Sequence, residues 1–261
     1  KYYVNYRLRI RFNKKIMEAK KIKSLFSFAG YSLLDLLSQT LKSNGINVLL
    51  NVYFGPIVNA ARGIAYQVLS ATDLFIGSFQ TAFRPQLTKL YAEKDYINMY
   101  KLYFSASKIS FFLILLITIP IIIETESILT LWLGDNVPVH TLSFIRLILF
   151  TSWVSCFANP TSCVIYATGY MRKFTLCVSG LNLAIVPISL LCLHYGYSPE
   201  STMVTSLIIT IVVQCVRIWV LHGIIVFPFR EYYQKVILPS VTVGIVAVLI
   251  PLIFSSILKQ T

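Results

Sequence analysis

The sequence predicts an all-α integral membrane protein with about seven transmembrane helices. Three observations predict it. First, 56% of the 261 residues are hydrophobic and only 13% are charged, roughly half the charged share of a soluble globular domain. With a mean hydropathy of +0.72, such a chain cannot cover a water-facing surface, which excludes a soluble enzyme and a disordered segment. Second, apolar stretches long enough to cross about 30 Å of hydrocarbon recur along the chain. Third, the connections between them are alternately rich and poor in Lys and Arg, as the positive-inside rule requires.

The candidate spans run roughly over 24–54, 57–83, 102–123, 141–167, 174–194, 202–226 and 236–257. The first is long and carries Lys42-Ser43-Asn44-Gly45. It is either one tilted helix that outruns the hydrocarbon or a broken one. A tight Gly55-Pro56 corner leads into the second. Between the second and third, Pro85 to Met99 is polar with periodic Leu87, Leu90, Tyr91 and Ile97, which predicts a short interfacial helix on the cytoplasmic face. In the fourth, Asn159-Pro160 removes a backbone hydrogen bond and predicts a kink. The organisation is a basic segment 1–23, a six-helix transmembrane unit 24–226 and one additional transmembrane helix 233–257.

The net charge is +13, from 23 Lys and Arg against 10 Asp and Glu. Residues 1–23 hold nine of the basic residues and a single acid, Glu18. A basic cluster directly before an apolar span marks a cytoplasmic anchor near anionic headgroups. It does not mark a nucleic-acid site, because no basic–aromatic groove pattern follows it. Farther along, Arg84, Lys89, Lys94, Lys101 and Lys108 surround the second connection, Arg172 and Lys173 the fourth, and Arg217, Arg230 and Lys235 the sixth. The third, 124–138, has Glu124, Glu126 and Asp135 with no Lys or Arg, and the fifth has only Glu200. Residues 1–23 are therefore placed on the cytoplasmic side of the membrane and 124–138 on the opposite side. The chain starts at Lys1 without a signal-peptide pattern and is read as part of a longer protein.

Catalytic motifs are not found. The five cysteines, Cys156, Cys163, Cys177, Cys192 and Cys215, lie in apolar spans without C-x-x-C spacing and read as buried free thiols. His140, His194 and His222 are scattered near span ends and read as interfacial polar residues. Neither H-E-x-x-H nor G-x-S-x-G occurs, so the chain is read as a non-enzyme without a metal or organic cofactor.

Polar residues inside the spans carry the functional signal. In the second span, Arg62, Tyr66, Ser70, Asp73, Gly77, Gln80 and Arg84 follow steps of 4, 4, 3, 4, 3 and 4, which is one helical face. The first span repeats the pattern with Ser32, Asp35, Gln39 and Lys42, and the sixth with Thr210, Gln214 and Arg217. The fourth contributes Arg146. Such stripes must face other helices or a wet cavity. Two readings compete. In one the charges are structural, Asp35 pairing with Lys42 and Asp73 with a neighbouring arginine. In the other they line a cationic cavity for an anionic substrate, because Lys42, Arg62, Arg146 and Arg217 outnumber Asp35 and Asp73.

The run Asn51-Val-Tyr-Phe-Gly-Pro-Ile-Val-Asn59-Ala-Ala-Arg62-Gly-Ile-Ala-Tyr-Gln67-Val resembles the signature of bacterial polysaccharide flippases of the O-antigen and capsule (Wzx-like) type. So does Phe83-Arg-Pro85-Gln86-Leu-Thr-Lys89-Leu-Tyr-Ala-Glu-Lys-Asp95, and Leu131-Trp-Leu-Gly134 with Pro138, and Ala167-Thr-Gly169, fit as well. The resemblance covers residues 20–257 and implies the multidrug/oligosaccharidyl-lipid/polysaccharide exporter superfamily. Its MATE-type fold has two six-helix lobes around a central cavity, and its members typically carry 12 to 14 spans. Spans one to six would be the second lobe and the seventh an accessory helix, with an N-terminal lobe as partner. The implied activity is alternating-access transport of an undecaprenyl-diphosphate-linked oligosaccharide across the inner membrane for polysaccharide, O-antigen (lipopolysaccharide) or capsule synthesis. On that reading Arg62 is the first candidate for the diphosphate, followed by Arg146, Lys42 and Arg217. Gln80 and Gln39 serve the substrate, and Asp73 or Asp35 takes a coupling H+ or Na+. The alternatives are a multidrug cation exporter of the same superfamily, which needs an acidic cavity, and a membrane-embedded glycosyl- or acyltransferase acting on lipid-linked sugar, which needs a catalytic cluster at a membrane edge.

Overall fold

A computed structural model describes residues 19–134 and 136–258. They form α1 (Ala19–Phe54), α2 (Pro56–Ala92), α3 (Tyr96–Ile123), α4 (Thr125–Leu133), α5 (Thr141–Ser155), α6 (Ala158–Thr168), α7 (Met171–His194), α8 (Glu200–Ile224), α9 (Phe229–Tyr232) and α10 (Leu238–Leu258), with a π-helical turn at Tyr233–Ile237 between the last two. Most of the basic segment 1–23 lies outside the described residues.

Among the described residues five segments are long and apolar enough to cross a membrane: α3, α5 continued by α6, α7, α8, and Phe229–Leu249. The chain is thus an all-helical multi-pass membrane protein. Helices α1 and α2 are longer still, at 36 and 37 residues, but their polar faces keep them out of that apolar class. Packing closes a ring in which α1 lies on α7, α7 on α8, α8 on α5, α5 on α2 and α2 on α1. Helix α6 wedges between α2 and α8, α3 packs against α2 and α5, and α10 lies on α3. The apolar core runs between these helices through Ile46, Leu87, Tyr103, Phe144, Leu149 and Ile185, all at most 1% exposed.

Local sequence explains the turns. Gly55 adopts φ of 81°, a left-handed conformation that costs glycine little, and Pro56 then starts α2 with its ring preset for a helix. Asp95 accepts the Asn98 N–H and starts α3. Hydrogen bonds tie connections together at the ends of the bundle. Tyr100 Oη donates to the Val226 carbonyl at 2.7 Å, joining the second and sixth connections. His140 Nδ1 lies 2.5 Å from Glu200 Oε1, joining the third and fifth.

Several expectations need correction. Of the two readings of the first span, the continuous one holds, α1 running unbroken through Lys42–Gly45. Gly45 is there for close packing: a Cβ on it would stand 2.8 Å from Val186 Cγ2 of α7. The separate interfacial helix expected at 85–99 does not form. Helix α2 runs through Pro85 to Ala92 because Phe83 and Leu87 continue its buried seam across the proline, so the connection to α3 is only three residues, Glu93 to Asp95. On the opposite side the acidic 124–138 connection contains α4, docked by buried Leu129. The cysteines are free, but only Cys156 and Cys163 are buried and Cys215 is exposed. The kink is present as a break between α5 and α6 at Cys156–Phe157.

Candidate functional site

The ring of helices encloses a polar cleft. Two cavities of about 200 and 410 Å³ share Gln39, Asp73, Ser152 and Ser155 and so form one space. The half toward the Gly55 corner is lined by Lys42, Ser43, Tyr66, Thr151, Ser206 and Thr210. Asp35, Gln80, Arg84, Asn159, Tyr166 and Arg217 line the other half. The polar faces of α1, α2 and α8 therefore converge on a single interior. Of the predicted residues, Gln39, Lys42, Asp35, Asp73, Gln80 and Arg217 reach the lining.

The cations of the cleft are not matched to acids. Among the described residues the ion pairs are Lys89–Glu93, His140–Glu200 and Lys235–Glu231, none of which faces the cleft. The expected Asp35–Lys42 pair does not form. Asp35 instead accepts from Ser179 Oγ at 3.4 Å. The Arg217 guanidinium donates to Ser162 Oγ and, at 3.5 Å, to the Ala158 carbonyl, and it sits 5.4 Å from the Phe174 ring centre. Its Nε has no partner.

Arg62 and Arg146 depart from their expected places. Arg62 is 3% exposed and stands one layer behind the lining, between α1 and α2. It donates to Asn47 Oδ1 and lies 4.3 Å from the ring centre of Tyr66, the residue that does line the cleft. Its Nε and Nη2 are buried without partners, as is Asn59 Oδ1 one turn before it. Arg146 is exposed on α5 and lines neither cavity. The inward face of α5 is taken by Ile145, Ile148, Leu149 and Ser152, which leaves Arg146 on the other side.

Gln80 holds the helix break. Pro160 has no N–H to give the carbonyl four residues back, which is Cys156. Gln80 Nε2 supplies the missing donor at 2.9 Å and also donates to Ser110 Oγ at 3.1 Å. Its Oε1 accepts from Asn159 Nδ2 at 2.7 Å, and Asn159 Oδ1 accepts from Arg84. Both amides are spent on this chain of bonds, so Gln80 is not free to bind substrate as expected. The neighbouring Thr161 hydroxyl donates to the Phe157 carbonyl at 2.7 Å and is bonded to Tyr103 Oη at 2.9 Å.

Sequence reasoning missed one wall of the cleft. Ser152, Ser155, Asn159, Ser162 and Tyr166 follow steps of 3, 4, 3 and 4 and line it along α5 and α6. The same face count that exposed the α2 stripe identifies them; Arg146 and Pro160 drew attention away. Among the described residues no group of three His, Cys, Asp or Glu stands close enough to hold a metal ion, and Asp35 and Asp73 are the carboxylates of the cleft. Comparison with family models, with curated proteins and with solved structures finds no match for this chain.

Proposed function

We propose that α1–α8 form one lobe of a bacterial inner-membrane carrier that moves an anionic lipid-linked oligosaccharide, of the polyprenyl-diphosphate type, between the two leaflets. On this reading α1 and α2 also cross the membrane, α10 is an accessory helix, and a second lobe faces the cleft. The observation that carries the proposal is the cleft itself: Lys42, Arg84 and Arg217 line it without a carboxylate in ion-pair contact, among hydroxyl and amide side chains. An uncompensated charge in hydrocarbon is costly, and a diphosphate would supply the missing counter-charge to these cations. Hydroxyls of Ser152, Ser155 and Thr210 suit a glycan. The prenyl tail would stay in lipid while the two lobes rock about the cleft. Asp35 and Asp73 are the groups that would take a coupling H+ or Na+. A multidrug cation exporter is disfavoured, because the lining has three cations against two carboxylates.

Binding tests this directly. Purified protein in detergent is titrated with a polyprenyl-diphosphate-linked oligosaccharide and, separately, with the uncharged polyprenol. The Lys42→Met/Arg217→Met variant is expected to weaken binding of the diphosphate at least about tenfold, each lost charge contact being worth roughly a factor of ten, and to leave the polyprenol unaffected. Equal loss for both ligands, or no loss for the diphosphate, overturns the proposal.

A further inference from the structure

A second basic site lies far from the cleft, between α3 and α10. A groove of about 470 Å³ is walled by Tyr100, Phe104, Pro228 and Pro239 and carries Lys101, Lys108 and Lys235. Its one acid is Glu231, whose Oε2 is 2.6 Å from Lys235 Nζ. The groove therefore has three cations and one anion. Lys101 and Lys108 have no acidic partner within ion-pair distance among the described residues. They lie seven residues apart, two turns along one face of α3, with Ser105 between them on the same groove.

Depth is the second observation. Lys108 is the last charged residue of α3, and the run Ile109–Ile123 that follows is uncharged and mostly apolar. Lys235 is the last charged residue before the apolar α10, Leu238–Leu258. Both helices belong to the segments apolar enough to cross a membrane. Each thus places the edge of its hydrocarbon segment at this groove, independently of the other. Lysines at that depth extend toward the headgroup layer while their stems stay on apolar surface. Basic grooves between helices at the cytoplasmic boundary hold anionic headgroups, and the aromatic and proline walls suit the glycerol and first acyl carbons.

We propose that this groove binds the headgroup of an anionic membrane phospholipid, a phosphodiester held by Lys101, Lys108 and Lys235, and that the bound lipid fastens α10 to α3. The packing supports a fastening role. Among the described residues helix α10 packs mainly on α3, with Gly244 against the Phe111 ring, and its other faces expose Val241, Ile245 and Val246.

Native mass spectrometry of the protein released from phosphatidylcholine nanodiscs containing a minor fraction of phosphatidylglycerol reads the site. The wild type is expected to retain phosphatidylglycerol in excess of its share. Lys101→Gln/Lys108→Gln/Lys235→Gln is expected to cut that excess at least about tenfold. Lys89→Gln/Lys94→Gln, two charges removed on the same side outside the groove, is expected to leave it intact. Ser105→Trp, which fills the groove without changing charge, is expected to match the triple variant and stands in for it should that variant not fold. Retention by both groove variants at the wild-type level, or equal loss in the Lys89/Lys94 control, overturns the proposal in favour of bulk surface attraction.

Discussion

Helix α2 has one polar face, and its two halves are treated in opposite ways. Toward Arg84, the Gln80 and Asn159 amides are tied into one chain of bonds. Toward the Gly55 corner, Arg62 keeps two buried nitrogens without partners beside an unpartnered Asn59 oxygen. The cause lies in the neighbouring chain. Pro160 creates a demand for a donor at the Cys156 carbonyl, and Gln80 sits opposite it. Arg62 meets one acceptor, Asn47 Oδ1, and its Nε and Nη2 stay without partners. Gln80 and Arg62 are about equally buried, at 4% and 3% exposed, so burial does not separate a satisfied polar group from an unsatisfied one. The account of donors and acceptors does.

The largest effect expected from that contrast is at Gln80. Gln80→Leu strips the donor from the Cys156 carbonyl and the acceptor from Asn159 inside the bundle, a loss of about 3 kcal/mol, read as unfolding free energy in mixed micelles. Pro160→Ala restores a backbone N–H for the same carbonyl. In that background Gln80→Leu should cost about 1 kcal/mol less. Strict additivity of the two changes would show that Gln80 does not serve the helix break, and the first half of the contrast would fail.

Arg62 should behave in the reverse sense. A buried cation with two unmatched nitrogens stabilises little by itself, and an apolar replacement of similar length removes its desolvation cost. Arg62→Met is expected to leave the unliganded protein within about 1 kcal/mol of wild type, while weakening the diphosphate ligand more than the uncharged polyprenol. A destabilisation as large as that of Gln80→Leu would make Arg62 a structural tie and erase the difference between the two halves.

Periodicity made most of the bundle legible. The steps of three and four along α1, α2 and α8 identified side chains that do line one cleft, because helical geometry alone decides which residues share a face. Hydropathy made the five apolar spans legible, α3, α5 with α6, α7, α8 and Phe229–Leu249, while the other two of the seven expected spans became the longer, more polar α1 and α2. Depth behind a face was not legible. Arg62 belongs to the α2 stripe, yet the approach of α1 at Asn47 puts it behind Tyr66. Nor was the role of Gln80, which depends on a carbonyl 76 residues away in sequence. Pro85 misled, and Gly45 left two readings open, for a related reason. Both are local helix breakers, and both are overridden by packing: Phe83 and Leu87 in one case, the contact with Val186 in the other.

The same accounting reaches water at Asp95, where the smallest effect is expected. Its carboxylate accepts the Asn98 side-chain amide at 2.7 Å and the Asn98 backbone N–H at 3.2 Å, and these bonds hold it below the usual carboxylate range. A carboxyl depressed in the folded state contributes stability that is complete above its unfolded pKa and is lost as pH falls through the folded one. Protonation therefore loosens the start of α3 only in acid, and amide exchange at Asn98 and Met99, corrected for the intrinsic rate, should accelerate there. Asp95→Asn keeps a capping oxygen without a titrating proton, so it should retain protection and lose the pH dependence. Asp95→Ala should lose protection at every pH. An Asp95→Asn protein that still titrates at Asn98 would place the responsible group elsewhere. A helix cap at the end of the bundle would then no longer serve as the reference point from which the buried Gln80 network and the unmatched Arg62 are both measured.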